Sequence, residues 1–169
     1  MLLYHPATDF YHCWLRFACL LCNCRERGIE FDRIRIIDFL LCFPHELENC
    51  RLPAASSKKL RELIKQLPCT YEDPSSIRQG FRQISKVQGQ VAMDMVSKGI
   101  VQRTAYREGL LIPAIDTSTS GLLDKVAQTW EDRTVEWRQM TVDVLLSIPL
   151  NGQNGLKARS GLLEYRYDE

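Results

Sequence analysis

The 169-residue chain lacks the signatures that would name a chemistry at once. It contains no GxxxxGK[ST] phosphate loop, no GxSxG nucleophile turn and no HExxH metal helix. Histidine is scarce: only His5, His12 and His45 are available to a Cys–His nucleophile pair or a metal site. Long apolar runs are missing too. The longest near the start, residues 17–22, falls far short of the roughly 20 residues a membrane span needs. The opening residues have no basic n-region and are interrupted by Pro6 and Asp9, so a secretory signal is not expected. Nor is there an excess of one charge: 22 Lys+Arg against 21 Asp+Glu leave +1, too little to coat nucleic acid by bulk attraction.

What is present suits a soluble domain. Hydrophobic residues at 45% and charged residues at 25% exclude disordered, collagenous and membrane-spanning classes. A chain of this length buries roughly 68–70% of its unfolded surface, so its core needs no disulfide or metal staple. The seven cysteines are an odd number in a chain too large for a disulfide scaffold. They read as free, mostly buried thiols in a reducing cytoplasm.

Apolar residues follow a helical period over most of the chain. Phe10, Trp14, Phe17, Leu21 and Cys24 form the first stripe, with Asp9 placed to cap it and Gly28 to stop it. A second helix from Asp32 to the residue before Pro44 is apolar on nearly every side and belongs at the centre of the fold. Residues 56–67 make a third, with Leu60, Leu63, Ile64 and Leu67 on one face. Gly89 divides the next periodic stretch into helices at about 75–85 and 87–98. Residues 100–103 and 110–112 flank Gly109 as a β-hairpin, so helix, helix and hairpin follow in the order of a winged helix-turn-helix. The Ser/Thr-rich residues 116–121 read as a linker. A long helix then carries Leu123, Val126, Trp130, Trp137, Thr141 and Val144 on one face, and residues 162–167 suit a short strand. The expected fold is mostly α with a small β-hairpin. A helical, winged-helix-like domain spans 1–115, and linker, long helix and short extension occupy 116–169.

Charge is distributed unevenly. Residues 51–110 hold 11 Lys+Arg against 5 Asp+Glu, a net of +6, while the flanking stretches 1–50 and 111–149 are net negative. Within the basic middle, Arg78, Arg82 and Lys86 recur at i, i+4 and i+8, beside Gln79, Gln83 and Gln90. Arg and Gln can pair with base edges and Lys neutralises phosphate, which makes these three cations candidate DNA contacts, with Arg103 and Arg107 on the wing. The Met93-Asp94-Met95 run before the wing is a poor groove-reading set, so backbone contact is favoured over base reading. The competing interpretation is a solvated helix face.

Three other clusters have plainer explanations. His5, Asp9, His12, Cys19, Cys22 and Cys24 could suggest a metal, but Cys19-Leu-Leu-Cys22 lies in an amphipathic helix with no second knuckle, so core thiols and no metal are expected. Asp38, in an otherwise apolar helix, requires a partner, with Arg35 or Arg16 available. Trp130 and Trp137, seven apart, pack in the core or meet another subunit.

Two stretches, Leu3-Tyr-His-Pro-Ala-Thr-Asp-Phe-Tyr-His-Cys-Trp-Leu-Arg16 and Arg33-Ile-Arg-Ile-Ile-Asp-Phe-Leu-Leu-Cys-Phe-Pro44, resemble the middle components of bacterial ABC-three-component systems. The segment 81–99, with Gln88 and Ala92 ahead of SKGI, is similar to the continuation of that family. The resemblance implies a small winged-helix-like protein that accompanies an SMC-like ABC ATPase and an effector, often a nuclease, as in Lamassu-type defence against phage and plasmids. It further implies a scaffolding subunit with no catalysis and no cofactor, cytoplasmic and away from membranes, that helps hold DNA or the effector. The alternative is a free-standing winged-helix transcription regulator, a homodimer on a palindromic site.

Overall fold

A computed structural model describes residues 5–68, 76–131 and 136–163, apart from the side chains at 55, 56, 130 and 131. Asp9 opens the first helix, α1 (Phe10–Asn23): its carboxylate accepts a hydrogen bond from the His12 amide at 2.9 Å, satisfying one of the free N–H groups of the first turn. One turn earlier the His5 ring accepts from the Ala7 amide and orders a short 3-10 turn, Pro6–Thr8. α1 buries Cys13, Phe17, Ala18, Cys19, Leu20 and Leu21. The chain then reverses through Gly28, where φ is +68° and a Cβ would stand 2.6 Å from Ile112 Cγ1.

After β1 (Ile29–Glu30) comes α2 (Phe31–Cys42), the central helix anticipated from its sequence, with Ile34, Ile36, Ile37, Phe39 and Leu40 fully buried. Fully burying one such side chain contributes about 1.5–3 kcal/mol, which holds the helix in place despite its β-branched residues. α3 (Ala54–Lys65) and α4 (Ile77–Ser97) follow, then α5 (Arg103–Arg107), β2 (Leu110–Leu111), α6 (Thr117–Glu131), α7 (Glu136–Ser147) and α8 (Leu156–Ser160). α1 packs against α4 on one side and α6 on another, while α7 lies on α2 and α3. One hydrophobic cluster runs from Ala7 to Leu162, so segments on both sides of residue 116 contribute to it. Among the described residues, no helix is long and apolar enough to cross a membrane.

Five expectations require correction. Residues 77–97 form one helix, not two. An interior glycine costs only about 1 kcal/mol against alanine, and Phe81, Ile84, Gln88, Val91, Ala92 and Met95 keep one buried stripe in phase through Gly89. The hairpin is not formed either. Val101 makes a single bridge to Pro113, residues 103–107 coil into α5, and Leu110–Leu111 pairs antiparallel with Ile29–Glu30. Tyr106 of α5 docks edge-on against Phe31, 5.7 Å between ring centres, so this segment lies on the body where a free wing was expected.

Residues 117–121 begin α6 and are no linker: Asp116 caps the helix by accepting from the Thr119 amide at 2.8 Å. In place of one long C-terminal helix the described residues hold two, α6 and α7. Leu123 and Val126 are buried in α6 and Trp137, Thr141 and Val144 in α7, but the two helices pack on different partners. Residues 162 and 163 are not in a strand, and the rest of that expected strand lies outside the described residues.

Candidate functional site

The exposed face of α4 carries the candidate nucleic-acid contacts. Burial of Gly80, Phe81, Ile84, Gln88, Val91 and Met95 forces the opposite side outward, and Arg78, Arg82 and Lys86 are all exposed there with Gln83 and Gln90. The Ser76 hydroxyl caps the helix by accepting from the Gln79 amide. None of the three cations has an acidic partner among the described residues. The lone acid of the helix, Asp94, lies near its far end, where it accepts from Trp14 Nε1 at 3.2 Å and pairs with Lys98 at 2.8 Å.

Arg103 and Arg107 are exposed on α5. They do not extend the α4 row directly: from Lys86 the helix continues for 11 more residues, about 17 Å of axis, before the chain turns toward α5. Trp137 is only 8% exposed and packs into the core beneath the Arg138 guanidinium, 5.4 Å above its ring, so it presents little surface to another subunit. The Trp130 side chain lies outside the described residues.

Beneath α4 lies a buried polar cluster. Asp38 is fully buried, and its carboxylate accepts from Arg16 Nε at 2.5 Å and from Gln88 Nε2 at 2.8 Å. Arg16 also donates to the carbonyls of Pro6 and Ala7, which ties the 3-10 turn to α1 and α2. Burial is the largest single influence and opposes the Arg16 charge, but the Asp38 carboxylate, through its charge and its hydrogen bond, together with the nearby Cys42 and Cys13 holds the guanidinium above its ordinary value. Arg35, the other partner considered for Asp38, donates instead to Ser85 at 2.9 Å and stacks over Phe31 and Phe81. Its backbone carbonyl receives the second Gln88 Nε2 hydrogen bond.

Two structural side chains escaped sequence reasoning. Gln88 is fully buried, and its spacing from Phe81, Ile84 and Val91 already placed it on the inner stripe. Arg33 is 7% exposed; it pairs with Glu30 at 2.7 Å and donates to the carbonyls of Leu145 and Ile148, capping the end of α7. Its one local signal was Glu30, three residues earlier.

The cysteine and histidine cluster does not converge: among the described residues no group of three or more His, Cys, Asp or Glu is placed to hold a metal ion. Burial pushes the Cys19 and Cys50 thiols up to about 12, and it raises Cys13 as well, with the Asp38 charge adding to it. Cys22 and Cys24 are half-buried and line an open cleft of about 850 Å³ at the C-terminal end of α1. The arginines that face this cleft are largely paired, Arg25 with Asp124 at 2.7 Å and Arg33 with Glu30.

A family model described as "ABC-three component (ABC-3C) system Middle Component 5" matches residues 2–168. No curated protein and no solved structure matches the chain.

Proposed function

Because this chain belongs to the Middle Component 5 family of ABC-three-component systems, matched over nearly its whole length, we propose that it is a non-catalytic scaffolding subunit that holds an ABC ATPase and an effector in one assembly. The ATPase in this proposal is SMC-like, and the effector is a nuclease of a Lamassu-type defence system against phage or plasmid DNA. The assembly works in the cytoplasm. The family match over residues 2–168 carries the proposal.

The chemistry of the interior supports a role without catalysis. Arg16, Arg33 and Asp38 are engaged in contacts that join helices to one another, and the buried thiols are held protonated. What the fold offers outward is surface, above all the basic face of α4. A free-standing regulator finds less support, because the segment that would form its wing coils into α5 and docks on Phe31.

Purification of the tagged chain from its native host, with partners identified by mass spectrometry, tests the proposal. A stable complex with a large coiled-coil ATPase and a second protein is the expected result. Recovery of the chain alone, as a homodimer, would overturn it.

A further inference from the structure

We infer that the outer face of α4 is a binding surface for duplex DNA that grips the phosphate backbone through Arg78, Arg82 and Lys86, without reading sequence. The geometry and the charge of the helix converge on it. The helix is continuous, so the three cations lie on one straight element; with buried side chains on the opposite face they have nowhere to point but solvent. Residues four apart are about 6 Å apart along a helix axis, so the row spans about 12 Å, the axial rise of three to four base steps.

No acid among the described residues pairs with these three side chains, on a protein whose net charge is only +1. Surface cations more commonly meet carboxylates on the same helix, yet the first three turns of α4 hold no acid at all. Finally, Arg35 of α2, with its side chain only 17% exposed, braces α4 from below the row and adds no open charge to it. It is anchored to Ser85 and stacked on Phe81, with Asp32 3.6 Å away as a loose counter-charge.

Charge complementarity selects the occupant. A row of exposed cations flanked by uncharged Gln83 and Gln90 suits a regular polyanion, whose counterions are released on binding. An apolar partner is disfavoured along this stretch, because the exposed Met93 lies beyond it toward the C-terminal end of the helix. Direct base reading would require the helix to enter a groove. Here Phe81, Ile84 and Val91 anchor α4 along its length against the body, which leaves a face and no projecting end. The inference rests on the subunit proposal only for where DNA is met; binding itself would be a property of this chain.

The test uses the full chain and a fluorescent duplex of about 30 base pairs, followed by anisotropy between about 50 and 200 mM salt. Three phosphate contacts give a slope near −2.7 in log K against log salt, so the wild-type affinity should fall about 40-fold over that range. The Arg78→Gln/Arg82→Gln/Lys86→Gln chain keeps helix propensity, verified by circular dichroism, and should lose most of that affinity and slope. Lys58→Gln/Lys125→Gln, at exposed cations on α3 and α6, should leave both unchanged, as should scrambling the duplex sequence.

Wild-type protein that does not bind at the lower salt, or a triple variant with an unchanged isotherm, would overturn the inference. If the triple variant instead sheds the ATPase on purification and the wild type ignores DNA, the face belongs to a protein partner. That result overturns the DNA surface and leaves the subunit proposal standing. Salt-dependent DNA binding by a chain that purifies without partners does the reverse.

Discussion

Arg16 Nε and Asp38 Oδ1 meet at 2.5 Å across the interface of α1 and α2, with the carboxylate fully buried and the guanidinium nearly so. Gln88 completes the cluster from α4, so three helices converge on one carboxylate. Arg16 also secures the N-terminal turn through the Pro6 and Ala7 carbonyls. A buried pair of this kind specifies which helices meet more than it adds net stability, since both ions give up hydration to form it.

Breaking the pair from one side should therefore be costly. Arg16→Met leaves Asp38 buried with Gln88 and the weakly donating Cys13 thiol for partners, and the expected loss is about 3–5 kcal/mol. Replacing both, Arg16→Met with Asp38→Leu, should cost clearly less than the sum of the single changes. Urea unfolding of the four proteins in a double-mutant cycle measures the difference; additive losses would show that the two residues act independently.

Gly28 and Gly109 both adopt positive φ, at +68° and +80°, yet they should respond differently to alanine. At Gly109 a Cβ meets open space, and the cost is the left-handed backbone alone, about 1–2 kcal/mol. At Gly28 the Cβ would also stand 2.6 Å from Ile112 Cγ1 and 2.8 Å from the Leu111 carbonyl, against the strand that pairs with β1. Gly28→Ala should lower the melting temperature markedly more than Gly109→Ala. Equal shifts would mean that the sheet moves aside freely.

The Arg33 hydrogen bonds hold the Glu30 carboxyl below its ordinary value. A carboxylate held low in the folded state stabilises the fold above its unfolded pKa, about 4.3. That contribution is lost as the pH falls through the lowered folded value. Glu30→Gln should accordingly lose stability at neutral pH and show a shallower decline between neutral pH and about pH 3 than the parent. Thermal melts across that range decide it. Parallel curves for the two proteins would contradict the linkage.

Thiol reactivity should sort by position. Cys19 and Cys50, pushed up to about 12 by burial, stay protonated and inert at mildly alkaline pH. Half-buried Cys22 and Cys24 at the cleft should alkylate first with iodoacetamide, and Cys13, Cys19 and Cys50 only after unfolding. Peptide mass spectrometry over a labelling time course reads the order. Early modification of Cys19 would reveal that the inner face of α1 opens in the native state.

Much of the helical architecture was legible because it depends on local spacing. The α1 stripe, its Asp9 cap and the buried nature of α2 follow from which residues recur every three to four positions, and the structure places them so. The inner stripe of α4 was legible in the same way, but its continuity was not. A glycine signals a possible break, and only the neighbours on which the helix packs, α1, α2 and the Pro6–Thr8 turn, decide that the helix runs through. Of the candidate site, the α4 cations appear as a row on a solvent face, whereas Trp137 is drawn into the core and α5 takes Arg103 and Arg107 off a hairpin.

Local order and chemistry at short range were determined by the sequence alone: where the strongly periodic helices α1 to α4 lie, which of their faces are apolar, where positive charge accumulates and which family the motifs resemble. Tertiary structure alone decided the pairings across long chain separations. It chose Arg16 over Arg35 for Asp38, Ile29–Glu30 over a neighbouring segment for Leu110–Leu111, and two separate supports for α6 and α7. The physical reason is that periodicity reports whether a residue faces inward but not what it meets there. The partner is settled by packing, by the need of each buried polar group for a hydrogen bond, and by strand edges that pair with whatever segment the core brings beside them.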